Sequence, residues 1–333
     1  MKRMSNYQNG AGSPILRRLF QTINKKVVAL VLTCLILFAS PLFPKGKKLQ
    51  IELYGGISAA SPKDLNLLSQ AEEEYNNIFF YRYLGGLPGY FLNDFPEITS
   101  AVPIGMRFKY HLSPALALSL GLEGFSRQRQ ESLTGTFTIT NWDLEYTKKY
   151  DPYRLKLSGY SVLAGLHYLI PLGSHTGLEL GLAAGWAKAE FNFVSSWTYD
   201  AIFHRPMDVN TSYHDSATLA GDGQGDGWAA RGSLRLNRIL TRRFGFFIEG
   251  RYTYCQLKEI RGSGRETRWG IPGETSWSGT WGIKKEELHT TWYDSTVHVP
   301  TNYWEGWVET QREREFILDL SGLSLAAGIY LRL

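Results

Sequence analysis

Long apolar runs are almost absent from this sequence of 333 residues. The run at 27–40 has 14 residues, whereas a transmembrane helix needs about 20. Apolar residues make up 43% of the chain, as in an ordinary globular protein, so the composition excludes a helical membrane protein. A strong net charge is lacking too. The value is +5 and part of it lies near the N-terminus, so we predict no nucleic-acid binding.

Cysteine is equally scarce, with two residues in the chain. Cys34 lies in the N-terminal apolar run, so a mature protein without that run keeps only Cys255 and has no internal disulfide. Glycine and aromatic residues are plentiful instead, at 34 residues and 14% of the chain. Both favour β-structure with many turns and close backbone approaches.

The N-terminal segment has the layout of a signal peptide. Residues 1–26 carry six basic residues and no acidic one, and the apolar run that follows ends before Pro41. We predict that residues 1–46 are a signal peptide with a short leader, and that residues 47–333 form a single domain. A lipoprotein site at Cys34 fits less well, because the apolar run continues past it. A single membrane anchor also fits less well, because the chain carries strands of its own.

The last thirteen residues, 321–333, alternate between two kinds of side chain. From Leu323 to Leu333 the odd positions are apolar, and the even positions are small or polar apart from Tyr330. A period of two predicts a β-strand with two different faces. This strand is long enough to cross a bilayer, because a tilted membrane strand needs about 9–11 residues.

The same alternation recurs along the chain and gives eight predicted strands. The other seven lie near 49–57, 102–112, 116–122, 162–170, 178–186, 228–236 and 244–254. The connections alternate between long ones, at 59–100, 127–153, 194–225 and 258–314, and short ones, at 113–114, 171–177 and 240–243. An even number of strands, with long loops on one rim and tight turns on the other, is typical of bacterial outer-membrane barrels.

We therefore predict an all-β protein: an eight-stranded antiparallel up-and-down transmembrane β-barrel with long extracellular loops, in the bacterial outer membrane. Alternation alone leaves open a soluble lipocalin-like barrel with its apolar face inward. The membrane barrel is favoured because the polar face is rich in glycine, alanine and serine, which suits a narrow interior, and carries only isolated charges. Aromatic residues also stand at both expected interfaces, namely Tyr110, Tyr168 and Phe244 near the short turns and Trp186, Trp228, Tyr252 and Tyr254 towards the long loops.

With this strand pattern and loop order, residues 47–333 resemble the small outer-membrane β-barrel families of the OmpA/OmpX/OmpW-like group. The closing stretches 319–323 and 328–333 also carry the resemblance. It implies a monomer that contacts outer-membrane lipid and lipopolysaccharide and is inserted by the barrel-assembly machinery. One residue departs from the pattern. These barrels usually end in Phe or Trp, which the insertion machinery reads, whereas this chain ends in Leu333.

Ten charged residues fall on the predicted interior face: Glu52, Arg107, Lys109, Glu123, Glu179, Arg231, Arg235, Glu249, Arg251 and Arg332. A barrel of about eight strands has an interior just wide enough for its own side chains. Charges there must pair, because an unpaired buried charge costs several kcal/mol. We predict an ion-paired plug, with a small gated pore as the alternative. His167 lies on the same face and is predicted to be a hydrogen-bonded core residue.

The loops give weaker signals, and we predict no enzyme, no catalytic residue, no metal site and no cofactor. Residues 222–227 match the first half of a calcium-binding loop, but its twelfth position is Ser233 rather than Glu. A flexible glycine-rich return into a strand is the simpler interpretation. His204, His214 and Asp215 would suit a hydrolase dyad of a lipid-modifying barrel, but their spacing matches no such family.

The fourth long loop holds six of the ten tryptophans, namely Trp269, Trp277, Trp281, Trp292, Trp304 and Trp307. We predict that they pair across hairpins that extend the barrel beyond the membrane; a sugar- or partner-binding surface is the alternative. Alternation at 136–139 predicts a similar extension in the second loop. The predicted function is a structural or surface-interaction barrel with an unknown extracellular ligand. The alternatives are a small-solute channel and a lipid-modifying enzyme.

Overall fold

The computed structural model describes residues 49–59, 61–78, 90–91, 94–139, 144–203, 212–268, 274–289, 296–305 and 314–333. They lie within one compact unit, Lys48–Leu333. The predicted signal peptide and leader, 1–46, lie outside the described residues. Within the described part of the chain, no helix is long and apolar enough to cross a membrane.

The described residues are dominated by β-strands. In chain order the elements are β1 (Leu49–Ser58), α1 (Lys63–Ile78), β2 (Tyr90–Phe91), β3 (Val102–His111), β4 (Leu116–Ile139), β5 (Leu144–Pro171), β6 (Thr176–Phe203), β7 (Ser212–Ile239), β8 (Phe244–Leu257), β9 (Arg261–Arg268), β10 (Glu274–His289), β11 (Thr296–Glu305), β12 (Arg314–Glu315), β13 (Leu318–Asp319) and β14 (Gly322–Arg332).

Eight of these strands close into a ring. β1 pairs with β3, each strand from β3 to β8 pairs with the next, and β8 pairs with β14, all antiparallel. β14 then pairs back onto β1, from Gln50 opposite Arg332 to Ser58 opposite Ser324. The predicted eight-stranded antiparallel barrel is confirmed, and the C-terminal stretch is its closing strand.

The two faces of the ring differ in the sense expected for a membrane. On β6, Leu182 points outward and is 72% exposed, whereas Glu179 points inward and is 2% exposed. The nine residues from Leu178 to Trp186, tilted by ~40° at a rise of ~3.3 Å each, cover roughly 23 Å of height. That height matches the apolar band of about 25 Å on membrane barrels. The lipocalin-like alternative is wrong, because the apolar face is the outer one.

The strands continue far beyond this apolar band, which corrects the predicted loops. β6 runs on to Phe203 and β7 begins at Ser212. Much of 127–153, 194–225 and 258–314 is therefore strand, because an antiparallel ladder satisfies its own backbone in water as well as in lipid. β9, β10 and β11 add to the edge of β7. We call the extended parts of β4–β7 together with β9–β11 the outer sheet.

An apolar cluster, which we call the outer core, fills the space enclosed by the extended strands. Its buried members come from β4 to β8, β13, the start of α1 and the segments around Phe95, Ile260 and Phe316; they include Leu65, Ile98, Tyr150, Tyr153, Leu155, Leu157, Phe191, Phe193 and Leu257. Asn66 fixes α1 to the segment around Ile98, since its side chain accepts a hydrogen bond from Ile98 N (2.9 Å) and donates one to Ile98 O (3.0 Å).

Glycines of β7 make room for two rings of this cluster. A Cβ at Gly223 would lie 2.5 Å from the ring of Phe191, and Gly221 faces Phe193 in the same way. Residues 222–227 are therefore part of a paired strand. The interpretation as a flexible return was wrong, and the alternating glycines serve packing.

Candidate functional site

Nine of the ten charges predicted for the interior lie buried inside the ring. Four are carboxylates and five are cations: Glu52, Glu123, Glu179, Glu249, Arg107, Lys109, Arg231, Arg235 and Arg251. We call these nine residues, together with His167, the lumen network. Every ring strand except β14 contributes at least one member, because each strand points alternate residues inward.

Glu52 of β1 lies at one centre of the network. Arg235 Nη1 lies 2.6 Å from its Oε2, and Lys109 Nζ lies 3.1 Å from its Oε1. Arg107 Nη1 is farther away, at 3.5 Å from Oε2. One carboxylate thus neutralises part of the charge on three cations from β3 and β7.

Two further carboxylates, Glu123 and Glu249, also share cations. Arg107 Nη2 donates to Glu249 at 3.1 Å. Arg251 joins two acids, since its Nη1 donates to Glu123 (2.7 Å) and its Nη2 to Glu249 (3.1 Å). Arg231 donates two hydrogen bonds to Glu123, at 2.5 and 3.1 Å. Such charge-assisted, bidentate bonds are among the strongest in proteins.

Glu179 of β6 completes the network. It accepts from Lys109 Nζ at 2.6 Å and from Asn237 Nδ2 at 3.1 Å. His167 of β5 contacts both neighbouring strands: its Nδ1 lies 2.8 Å from Glu179 Oε1 on β6, and its Nε2 lies 2.7 Å from Ser119 Oγ on β4. His167 is therefore a buried, hydrogen-bonded lumen residue.

Aromatic rings of the lumen stack against the guanidinium groups, a feature that the sequence analysis missed. The guanidinium carbon of Arg235 lies 3.5 Å from the ring centre of Phe247, and that of Arg251 lies 4.2 Å from the ring centre of Tyr54. These contacts are cation–π interactions. Both rings occupy inward-facing positions of their strands, as the charged residues do. The alternation in the sequence could therefore have predicted that these rings lie in the lumen.

Arg332, the tenth predicted interior charge, is placed differently. It is only partly buried, at the end of β14, and its Nε lies 3.4 Å from Gln50 Oε1. Among the described residues it pairs with no carboxylate at ion-pair distance, and it lies over the ring of Tyr330. Arg332 is thus at the edge of the lumen rather than in its network.

The outer surface of the ring decides what kind of barrel this is. Large apolar side chains cover it, and exposed aromatic residues, among them Tyr168, Phe244, Trp228, Tyr252 and Tyr254, stand at its two rims. A charged, ion-paired interior inside an apolar belt with aromatic rims is stable only in a membrane. The chain is an outer-membrane β-barrel protein. The barrel has the fold that the resemblance to the small eight-stranded outer-membrane families implied.

Two solved protein structures are similar to this chain. Ail of Yersinia pestis, solved with the heparin analogue sucrose octasulfate, is 10% identical, with a TM-score of 0.30 over 86% of this chain and 99% of Ail. OprG of Pseudomonas aeruginosa is 11% identical, with a TM-score of 0.33 over 86% of this chain and 96% of OprG. No family model and no curated protein matches the chain. The closed ring and the contrast between its apolar outer face and its charged inner face identify the barrel.

Among the described residues, no group of three or more His, Cys, Asp or Glu side chains could hold a metal ion. His214 Nδ1 lies 2.6 Å from Asp200 Oδ1, on the neighbouring strand, and both side chains are about half exposed. Asp215, the predicted partner, instead accepts from Ser216 N. His204 lies outside the described residues.

The predicted tryptophan surface is described only in its backbone. β10 carries Trp277 and Trp281, and β11 carries Trp304 directly opposite Trp281. The hairpin interpretation is confirmed for these two strands. Trp269, Trp292 and Trp307 lie outside the described residues.

Proposed function

We propose that the barrel has a closed lumen and that its role is structural or in surface interaction, through the outer sheet. The lumen network carries this proposal. It draws ion-paired side chains from six of the eight ring strands and the hydrogen-bonded His167 from a seventh, and the cavity beside it has a volume of about 20 Å³. Such a cavity has room for about one water molecule, which supports a lumen too narrow for hydrated solutes.

The dimensions of the outer sheet support the second half of the proposal. β6 continues from residue 187 to residue 203 beyond the apolar band, a run of ~17 residues that reaches about 55 Å along the strand. A barrel that only anchored itself would need strands of about 9–11 residues. The outer sheet is also stabilised by its own core, so it offers a preformed surface, which reduces the entropic cost of binding a partner.

Single-channel recording in planar bilayers tests the closed lumen. The sample is first shown to be folded by its heat-modifiable migration on gels, so that silence is meaningful. We expect no steady conductance steps. Steady conductance would overturn the proposal and favour the small-solute channel.

Mass spectrometry of lipid A from cells with and without the protein tests the enzymatic alternative. The His214–Asp200 pair is half exposed on a strand face, away from the belt. We expect identical lipid A from both strains, and a modified lipid A would overturn the proposed role. The monomeric state and insertion by the barrel-assembly machinery stay predictions, as does the signal peptide at 1–46.

A further inference from the structure

A small cavity inside the barrel is lined mostly by polar side chains. Arg107, Arg231, Tyr54, Ser161 and Ser233 line it, together with Glu123, Glu249 and His167, and its volume is about 20 Å³. A cavity of this size takes a water molecule or one ion of similar size. Sulfate, phosphate and organic anions are too large for it.

One cation that lines the cavity has a buried donor atom without a hydrogen-bond partner. Arg107 is 5% exposed, and its Nη1 donates no hydrogen bond within the described part of the chain. The nearest ion-pair oxygen to that atom is Glu52 Oε2, at 3.5 Å. The two carboxylates that line the cavity are already engaged, since Glu123 and Glu249 each accept three hydrogen bonds from guanidinium groups.

The lumen network also carries one surplus positive charge. It contains five cations and four carboxylates, with His167 counted as neutral, and each of the nine charged residues is at most 9% exposed. An uncompensated charge in such surroundings costs several kcal/mol. A single anion next to Arg107 would remove the surplus and accept from the unpartnered donor.

We propose that the lumen cavity binds one small monovalent anion of halide size, and that in the cell this anion is chloride. Arg107 supplies its charge partner, and the hydroxyl groups of Ser161 and Ser233 are among the other polar groups that line the site. The anion is a structural ion of the lumen network. It neither needs nor implies conduction, so the planar-bilayer experiment and the experiment below fail independently.

Equilibrium unfolding in detergent, in sodium chloride against sodium gluconate at equal ionic strength, tests the site. An ion that binds only the folded state stabilises it by mass action. Once the site is near saturation, each tenfold rise in chloride should lower the unfolding constant by about tenfold. Equal unfolding constants in the two salts would overturn the proposal.

Ser233→Asp supplies the missing negative charge from the protein itself, because Ser233 lies opposite Arg251 on the neighbouring strand. We expect this variant to lose the chloride dependence. Ser174→Asp, in the exposed turn between β5 and β6, adds the same charge outside the lumen and should keep it. Persistence of the dependence in Ser233→Asp would contradict the proposed site.

Anomalous scattering from crystals of the wild-type protein grown in bromide gives a readout that needs no variant. We expect one bromide peak in the cavity, within hydrogen-bond distance of Arg107. Density for water alone at that position would overturn the proposal.

Discussion

Replacing Arg251 with alanine removes the cation that links two acids of the lumen network. Its guanidinium donates to Glu123 at 2.7 Å and to Glu249 at 3.1 Å, and it lies 4.2 Å from the ring centre of Tyr54. The residue is 2% exposed, so water does not replace the lost donors. The substitution therefore breaks two buried ion pairs and one cation–π contact.

The expected cost follows from what remains after the substitution. Breaking a buried pair typically costs about 3–5 kcal/mol. Here Glu123 keeps Arg231 and Glu249 keeps Arg107, so neither carboxylate loses all its partners. We therefore expect the lower end of that range, a loss of about 3 kcal/mol in the free energy of unfolding.

Urea unfolding in detergent micelles, followed by tryptophan fluorescence, measures this loss. Arg242→Ala is the matched control, because Arg242 is exposed in the turn between β7 and β8 and surface changes usually stay within about 0.5 kcal/mol. If Arg251→Ala lowers the free energy of unfolding no more than Arg242→Ala does, the lumen is hydrated and its charges are not stabilised as buried ion pairs.

Four further substitutions test the lipid face, the lumen and the outer core. Leu325→Arg, in the middle of the lipid face, should cost about 2–4 kcal/mol and Leu331→Arg, near the rim, only about 0–1; equal losses of the heat-modifiable folded band would contradict this depth dependence. Gly328→Leu should lower the folded yield, since its Cβ would lie 2.7 Å from the ring of Phe247, and a normal yield would contradict the tight packing. Phe95→Ala should destabilise the outer core by about 3–5 kcal/mol and speed proteolysis of α1, whereas an unchanged cleavage rate would show that the core does not hold the helix.

The ring was predictable because lipid imposes a strict period on the sequence. Leu178, Leu180 and Leu182 alternate with small or charged residues, and only one register places all of them in the bilayer. Beyond the apolar band that contrast disappears. Phe191 and Phe193 point inward there. The large apolar residues thus move from the outer face of the strand to the inner face, and for that reason the sequence analysis predicted a loop.

The alternation of side chains along each strand predicted which charged residues face the interior, but it did not predict which of them pair with each other. Glu52 and Arg235 are 183 residues apart in the chain and meet across the lumen. The sequence tells which face each residue takes, whereas the pairing depends on strand register and tilt around the whole ring. The outer core was missed for the same reason, since Leu65, Phe95 and Phe316 come from distant stretches of the chain and meet only in the tertiary structure.

Spin labels on the outer face test whether the apolar residues of each ring strand face lipid, while the charged residues that alternate with them face the lumen. Leu182 and Leu325 are each changed to cysteine in a Cys255→Ser background, labelled, and reconstituted into liposomes. Collisions with oxygen, which concentrates in lipid, are compared with collisions with a water-soluble nickel complex. We expect high oxygen accessibility and low nickel accessibility at both sites, most strongly at Leu182. Shielding of both labels from both reagents would place the apolar face in a protein core, and the barrel would then not be a membrane barrel.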